Sequence, residues 1–395
     1  MALKEILFNK LDEKKERMLE IRRYLHQHPE LSFHEEKTAL FIQDFYKDKD
    51  VTLHTNVGGG HAVIVDVESN RPGKVIGLRA DFDALPIQEE TDLEYKSQNY
   101  GVMHACGHDA HTAYLLVLAE SLIEMKDQLS GTIRIIHQHA EEVPPGGAKG
   151  IVESGVLDNL DEVYGIHVFP FVDQGKIEIH EKETYAGRSN FDIEIQGKGG
   201  HAALPQTAND ALVAGAYLVT ELQTVVSRRM DPRESVVVTV GAFEAPGGYN
   251  VIQDKVTLRG TVRYLNEASK IPAYEAIKSH IEGLEKSFGV KVNLDYKFDY
   301  PVLYNHPEQT NAVHDILKQS EGTYFDEVVE GQALSGSEDF AYYLTKTPGT
   351  FYIVGARPKG VESPYPNHHP KFTINEDSMM VCAKSLGEIM LNRME

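Results

Sequence analysis

The chain is poor in cysteine and short of positive charge. Cys106 and Cys382 are the only two cysteines in 395 residues. Two cannot build a disulfide framework, and such sparse use fits a reducing compartment. Thirty-nine Lys and Arg stand against 60 Asp and Glu, a formal net charge of -21. That balance argues against nucleic acid or an anionic membrane surface as a partner. No apolar run reaches membrane-spanning length. Residues 1–20 alternate lysine and glutamate with apolar residues, so they lack the unbroken apolar segment of a signal peptide. A cytoplasmic location is expected. Internal repeats and low-complexity tracts are also missing. Hydrophobic content of 41% and charged content of 25% are those of an ordinary globular protein, long enough for two or three domains. Cys382 falls in a helical pattern and reads as a small buried hydrophobe.

What is present is concentrated first in Met103-His104-Ala105-Cys106-Gly107-His108-Asp109-Ala110-His111. Three histidines, one cysteine and one aspartate fall within nine residues. Thiolate and imidazole are the side chains that borderline-soft divalent metals prefer. Gly107, between Cys106 and His108, suits a tight loop that turns both heads toward one point. A His-rich helix start with Asp109 as N-cap is the competing reading. A closed zinc site would need further ligands nearby, and no second CxxC or HxxxH follows. Any partners must come from elsewhere in the chain.

Apolar periodicity predicts one amphipathic helix over residues 3–28, stopped by Pro29, and a second from a capping box at Ser32-Phe33-His34-Glu35 through Phe45. Strands are expected at 62–67 and 74–80, paired as a hairpin across the Asn70-Arg71-Pro72-Gly73 turn, and again at 132–138 and 163–168. A helix follows the His/Cys loop, and another is expected over 146–154. Strands alternating with helices argue for an α/β sheet covered on both faces. From about Tyr185 the texture changes. Residues 190–196 alternate cleanly, and the order of elements through 298 is βαββαβ, the split ferredoxin-like unit. Helices at 310–319, 335–344 and 375–390 and a strand at 349–354 return to the α/β pattern. The expected organisation is a catalytic domain, 1–184 and 300–395, carrying an inserted α+β domain, 185–299.

Ligands of α/β sheets sit beyond the carboxyl ends of the strands. At those ends stand Asp81 and Asp83, then His139, Glu141 and Glu142, then His167. A Pro-rich loop near the C-terminus adds His368 and His369. The neighbouring carboxylates Glu141 and Glu142 cannot easily point the same way. One of them can bind metal while the other handles the proton of an attacking water, which is what hydrolysis of a peptide-like bond requires. Gly197-Lys198-Gly199-Gly200-His201-Ala202 nominally fits a dinucleotide fingerprint. The acid expected about twenty residues on would be Glu221, inside a helix, which argues against that use. A turn that exposes His201 to stabilise an oxyanion is the alternative.

These motifs resemble the M20 metallopeptidases, in particular the aminoacylase-like subgroup of N-acyl-amino-acid amidohydrolases, hippurate hydrolases and auxin-conjugate hydrolases. The resemblance runs through Arg22-Arg23-Tyr24-Leu25-His26, Arg79-Ala80-Asp81-Phe82-Asp83, His104-Ala105-Cys106-Gly107-His108-Asp109, Glu141-Glu142 and Gly165-Ile166-His167. It continues through Gly199-Gly200-His201-Ala202, Asn250-Val251-Ile252, Gly336-Ser337-Glu338-Asp339-Phe340 and His368-His369-Pro370. It implies a mixed-sheet metallopeptidase catalytic domain of the phosphorylase/hydrolase-like kind, with the insert serving as lid or dimerisation domain. By the same resemblance Cys106, His108, Glu142, His167 and His368 bind two divalent metals per subunit, manganese or zinc being favoured over nickel or cobalt for either ion. Glu141 is the general base, Asp81 orients a ligating imidazole, and His201 and Asn250 reach the substrate, His201 from the partner subunit. The implied activity is hydrolysis of N-acyl amino acids or small peptides by a metal-activated water, in a homodimer or a dimer of dimers. A dipeptidase or aminopeptidase, or a non-catalytic metal- or ligand-binding protein, is the alternative. Two departures from the wider family stand out: Arg79 occupies the position of a ligand histidine, and Cys106 that of a bridging aspartate.

Overall fold

The computed structural model describes residues 2–394. They form two compact units. One takes the chain up to Lys182, then Tyr304–Gln332 and the segment from Asp339; the other takes Glu183–Leu303 with Ala333–Glu338. The short segment joins the second unit through backbone bonds: Leu334 N–H donates to Thr184 O at 2.8 Å, and Ala186 N–H to Leu334 O at 3.0 Å and Gly336 O at 2.9 Å.

The first unit is built on an eight-stranded mixed sheet. Its strands are β1 (Thr52–Val57), β2 (Ala62–Glu68), β3 (Val75–Asp81), β4 (Thr132–Gln138), β5 (Glu162–Phe169), β6 (Lys176–Ile179), β7 (Glu327–Glu330) and β8 (Gly349–Gly355). Their spatial order is β1-β2-β4-β3-β5-β8-β6-β7. The central four, β4, β3, β5 and β8, are mutually parallel. They are buried almost throughout, as parallel strands covered on both faces must be. The register sets Asp81 beside Gln138 and Arg79 beside Gly165, so the carboxyl ends of three strands emerge together.

The expected hairpin of β2 with β3 does not form. β4 lies between them, antiparallel to β2 and parallel to β3. The 70–73 turn is used, but its backbone groups bond to the start of β4: Ser69 N–H to Gly131 O at 3.1 Å and Gly131 N–H to Arg71 O at 2.9 Å. The slot beside β3 is thereby filled from residue 132 onward. The first expected helix also breaks in two, Leu3–Glu13 and Lys15–Gln27, at Lys14, whose N–H turns back to Leu11 O. Glu35 precedes helix Glu36–Tyr46 without capping it through its side chain, so the capping box is not made. β1, β6 and β7 are short strands at or near the edges of the sheet that periodicity did not reveal.

Helix His108–Ile123 runs through the core of this unit, buried on every side. Its Ala- and Leu-rich sequence is apolar all round, as a helix enclosed by other elements requires. It starts from Gly107 at φ 91°, where a Cβ would stand 2.6 Å from Val168 Cγ2. Only glycine meets both conditions.

The second unit has a four-stranded antiparallel sheet in the order Val236–Glu244, Lys255–Tyr264, Gly187–Gln196, Lys291–Phe298. Helices Ala211–Thr224 and Lys270–Phe288 bury Leu218, Leu222, Ile277 and Leu284 in a core shared with Phe191, Ile193 and Ile195. Asp210 caps the first of these helices, accepting Leu212 N–H and Val213 N–H.

Leu118 is fully buried in the central helix. Leu118→Ala should lower stability by about 2–5 kcal/mol through the cavity it leaves, whereas Leu40→Ala, at an exposed position, should change it by less than about 0.5 kcal/mol. Urea midpoints of the two variants check the contrast; equal shifts would contradict the packing described.

Candidate metal and active site

The His/Cys loop divides its side chains between two tasks. Cys106 and His108 turn toward the carboxyl ends of the strands, while His104, Asp109 and His111 turn into the protein. Asp109 Oδ2 accepts from Arg22 Nε–H at 3.1 Å and meets His26 Nδ1 at 2.9 Å, with both partners buried. It therefore serves the interior and does not cap its helix. His104 is buried, and burial drives its pKa down to about 4.

Five side chains from four stretches meet at the strand ends. Cys106 Sγ lies 3.4 Å from His167 Nε2. His368 Nε2 lies 3.1 Å from Glu142 Oε1, and His108 Nε2 is 3.9 Å from that oxygen. The candidate ligand atoms of Cys106, His108 and His167 lie within 4.8 Å of one another, as do those of Cys106, Glu142 and His368 and those of His108, Glu141 and Glu142. Cys106, His108 and Glu142 each belong to two of these groups, so the three groups form one continuous cluster. His369, the neighbour of His368, faces elsewhere: its ring stacks on Tyr365 at 4.4 Å.

Each of these groups is held from behind. His167 Nδ1 donates to Val168 O at 2.8 Å, which leaves Nε2 as the lone-pair nitrogen facing Cys106. His368, at φ 68°, is anchored by its own N–H on Ala105 O at 2.8 Å. Asn367 Nδ2 donates to both Cys106 O and Cys106 Sγ at 3.4 Å. The carboxylate on His108 Nδ1 is that of Asp83, at 3.0 Å. Asp81, expected to orient a ligating imidazole, meets His111 Nδ1 at 2.6 Å and accepts from Arg79 Nη1–H at 2.8 Å, standing 3.6 Å from His108 Nε2. His111 Nε2 in turn accepts Val168 N–H at 3.0 Å. Arg79 fills its site with a fully buried guanidinium, bonded also to Gln138 Oε1 and Asp339 Oδ1.

Asp83, His111 and Asn367 thus have parts that sequence reasoning did not assign. His111 lies three residues beyond His108, on the same helix face, and that spacing was available to find it. Asp83 follows Asp81 at the strand-end position already noted. Nothing local marks Asn367.

The charges are matched in a way that favours cations. Burial opposes a proton on His108, but the Asp81 charge and the Asp83 hydrogen bond raise its pKa well above the ordinary value. Hydrogen bonds to Cys106 and Glu142 lift His368 to about 10. His167 goes the other way, lowered by burial and by neighbouring His111. His108 Nε2 is buried and lacks a hydrogen bond of good geometry, and Glu142 Oε1 faces His368 Nε2 at 3.1 Å. Thiol, imidazole and carboxylate donors converging on such atoms fit one or two divalent cations.

His201 and Asn250 lie in the second unit, and there they are brought together. His201 pairs with Val251 in a two-stranded ladder, and Ala202 N–H donates to Asn250 O at 3.1 Å. His201 is exposed, with Nδ1 accepting Ala203 N–H at 3.1 Å. The next helix begins only at Ala211, so the glycines do not open a helix onto a phosphate as a dinucleotide site requires.

Residues 77–392 match the family model of peptidase family M20/M25/M40. The chain belongs to that family. It is 40% identical to an N-acyl-L-amino acid amidohydrolase of Geobacillus stearothermophilus over 77% of this chain and 82% of that protein. A crystal structure from methicillin-resistant Staphylococcus aureus, 50% identical, covers 100% of both chains with a TM-score of 0.94. A dinuclear metal-binding M20 peptidase of Bacillus subtilis, 30% identical, covers 97% of this chain and 99% of its own with a TM-score of 0.82. The mixed α/β architecture of this M20 protein is the one its sequence led us to expect.

His108 and His368 hold protons more tightly in the folded protein than in the unfolded chain. Their contribution to stability is therefore complete below about pH 6.5, the ordinary histidine value, and for His368 is lost as pH rises through about 10. In chelator, the urea midpoint of the native protein should fall across that interval more than that of His368→Ala. Parallel curves would remove the ion pair with Glu142 as a source of stability.

Proposed function

We propose that this M20 protein is a binuclear metal-dependent amidohydrolase that releases amino acids from their N-acyl derivatives. One observation carries the reading. Cys106, His108, Glu142, His167 and His368 converge, with Glu141 within 4.8 Å of His108 and Glu142. Similarity to an N-acyl-L-amino acid amidohydrolase supports the substrate class, and similarity to a dinuclear metal-binding peptidase supports two ions.

The five converging residues would hold the cations. Manganese or zinc suits this mixture of thiolate, imidazole and carboxylate. When bound, the cations supply Lewis acidity and make water a nucleophile at neutral pH. The chain's own groups do the rest. Glu141, buried beside Glu142, takes a proton from the attacking water and delivers it to the leaving nitrogen. The carbonyl carbon gains the water oxygen as its bond to nitrogen breaks, giving a carboxylic acid and a free amino acid. Asp83 fixes the orientation of His108 from behind, and Asp81 does the same through His111. His201 donates a hydrogen bond to the oxyanion, and Asn250 holds the substrate beside it. The second unit acts as lid and dimerisation domain, with His201 supplied across a cytoplasmic homodimer.

Glu141→Gln should retain metal and lose at least about 100-fold in kcat, the scale of a missing general base; near-normal turnover with metal bound would sink the assignment. His201→Ala should keep metal and fold while losing about 10²–10³ in kcat. If His201 acts across a dimer, mixing His201→Ala with Glu141→Gln should restore partial activity. A heterodimer without activity would instead place His201 in its own subunit's site.

A further inference from the structure

A buried carboxyl outside the ligand set reaches the turn that carries Glu141. Glu35 is fully buried. It stands at the start of helix Glu36–Tyr46, where an acidic side chain would ordinarily turn back and cap the free N–H groups. It does not do so. Its Oε1 accepts the N–H of Ala140 at 2.8 Å instead, linking residues 105 apart in sequence. Its other oxygen is buried without a hydrogen bond. Burial and the nearby charge of Asp83 push the carboxyl up to about 8. A carboxyl in such surroundings is costly for the fold; the backbone of Glu35 itself and of Phe33 also favours its charged form, and its hydrogen bond across the fold is to the residue before Glu141.

Ala140 holds an unusual backbone. Its φ is 50°, the left-handed region that alanine enters only where its surroundings impose it. Two bonds impose it here: the N–H is held by Glu35, and the carbonyl accepts Gly147 N–H at 3.0 Å. Beyond Glu141, the N–H of Glu142 donates to Asp83 Oδ2 at 3.0 Å. The same Asp83 oxygen accepts Ser32 Oγ–H at 2.7 Å. Glu141 therefore leaves a backbone fixed on both sides, and both fixings trace back to residues 32–35. The ring of Phe33 packs edge-on against His139, centroids 5.9 Å apart, and closes the same contact.

We propose that Glu35 is a positioning residue for Glu141: it fixes the Ala140 peptide and so aims the Glu141 carboxylate. The proposal rests on the reading of Glu141 as general base. Glu35 touches neither substrate nor ligand and acts only through the turn.

Displacement of a catalytic group by about 1 Å can cost 10²-fold in rate. Glu35→Ala should lower kcat on an N-acyl amino acid by roughly that factor, with KM within about twofold and metal content unchanged. Glu35→Gln keeps an acceptor oxygen for the Ala140 N–H and should recover most of the loss. Hydrogen exchange over residues 139–147 should quicken in Glu35→Ala and stay near native in Glu35→Gln. Native kcat in Glu35→Ala overturns the proposal. So does a loss that Glu35→Gln shares equally and that tracks unfolding or released metal. Glu141→Gln run in parallel separates the two readings. If that variant stays active, the base assignment falls; unchanged exchange in Glu35→Ala, whatever Glu141 does, shows that Glu35 does not hold the turn.

Discussion

The carboxylate of Asp83 ties together the parts on which the site depends. It lies just past β3, buried, and meets three partners: Ser32 Oγ, His108 Nδ1 and Glu142 N–H. Those partners come from the stretch after the second helix, from the start of the core helix and from the loop after β4. A buried negative charge is tolerated only where hydrogen bonds and opposite charge surround it. Satisfying Asp83 therefore sets the positions of the His108 imidazole and of the acidic pair at once.

The same principle recurs one layer deeper. Arg79 places a full positive charge among Asp81, Asp339 and Gln138, all buried. Arg22 does the same for Asp109 and Glu376. The region behind the candidate site is therefore a network of compensated charge rather than an apolar wall. Such a network resists rearrangement, because removal of one member leaves another buried and unpaired. The planar fork of Arg79 holds Asp81, Asp339 and Gln138 in fixed relation to one another.

How much of this the sequence disclosed follows from the range of each interaction. The α/β texture and the βαββαβ run were legible because apolar periodicity is local. The clustering of acids and histidines at strand ends was legible because parallel strands emerge on one side. The pairing of β2 with β4 was not, since a turn at 70–73 records that the chain reverses and says nothing of a strand that later fills the gap. The inward turn of Asp109 was hidden for a similar reason: its partner Arg22 is 87 residues away. Asp81 and Asp83 are separated by one residue, and the alternation that would sort them ends where β3 ends, at Asp81. Their division of labour between His111 and His108 needed the helix packed against the strand. Glu35 read as part of a capping box because its spacing from Ser32 fits one, while the actual bond crosses to the far end of β4.

The sheet order has a consequence for biosynthesis. β8 lies between β5 and β6, so the strand that covers β5 is made only when residue 349 has been reached. At ~5–20 residues per second, the interval after residue 169 lasts tens of seconds at most. Throughout it β5 has an open flank with unpaired backbone groups, a template for stray pairing. The second unit draws most of its residues from one uninterrupted stretch, 183–303, and closes its own sheet within that stretch. The nascent protein thus carries a small sheet closed before the large one is complete.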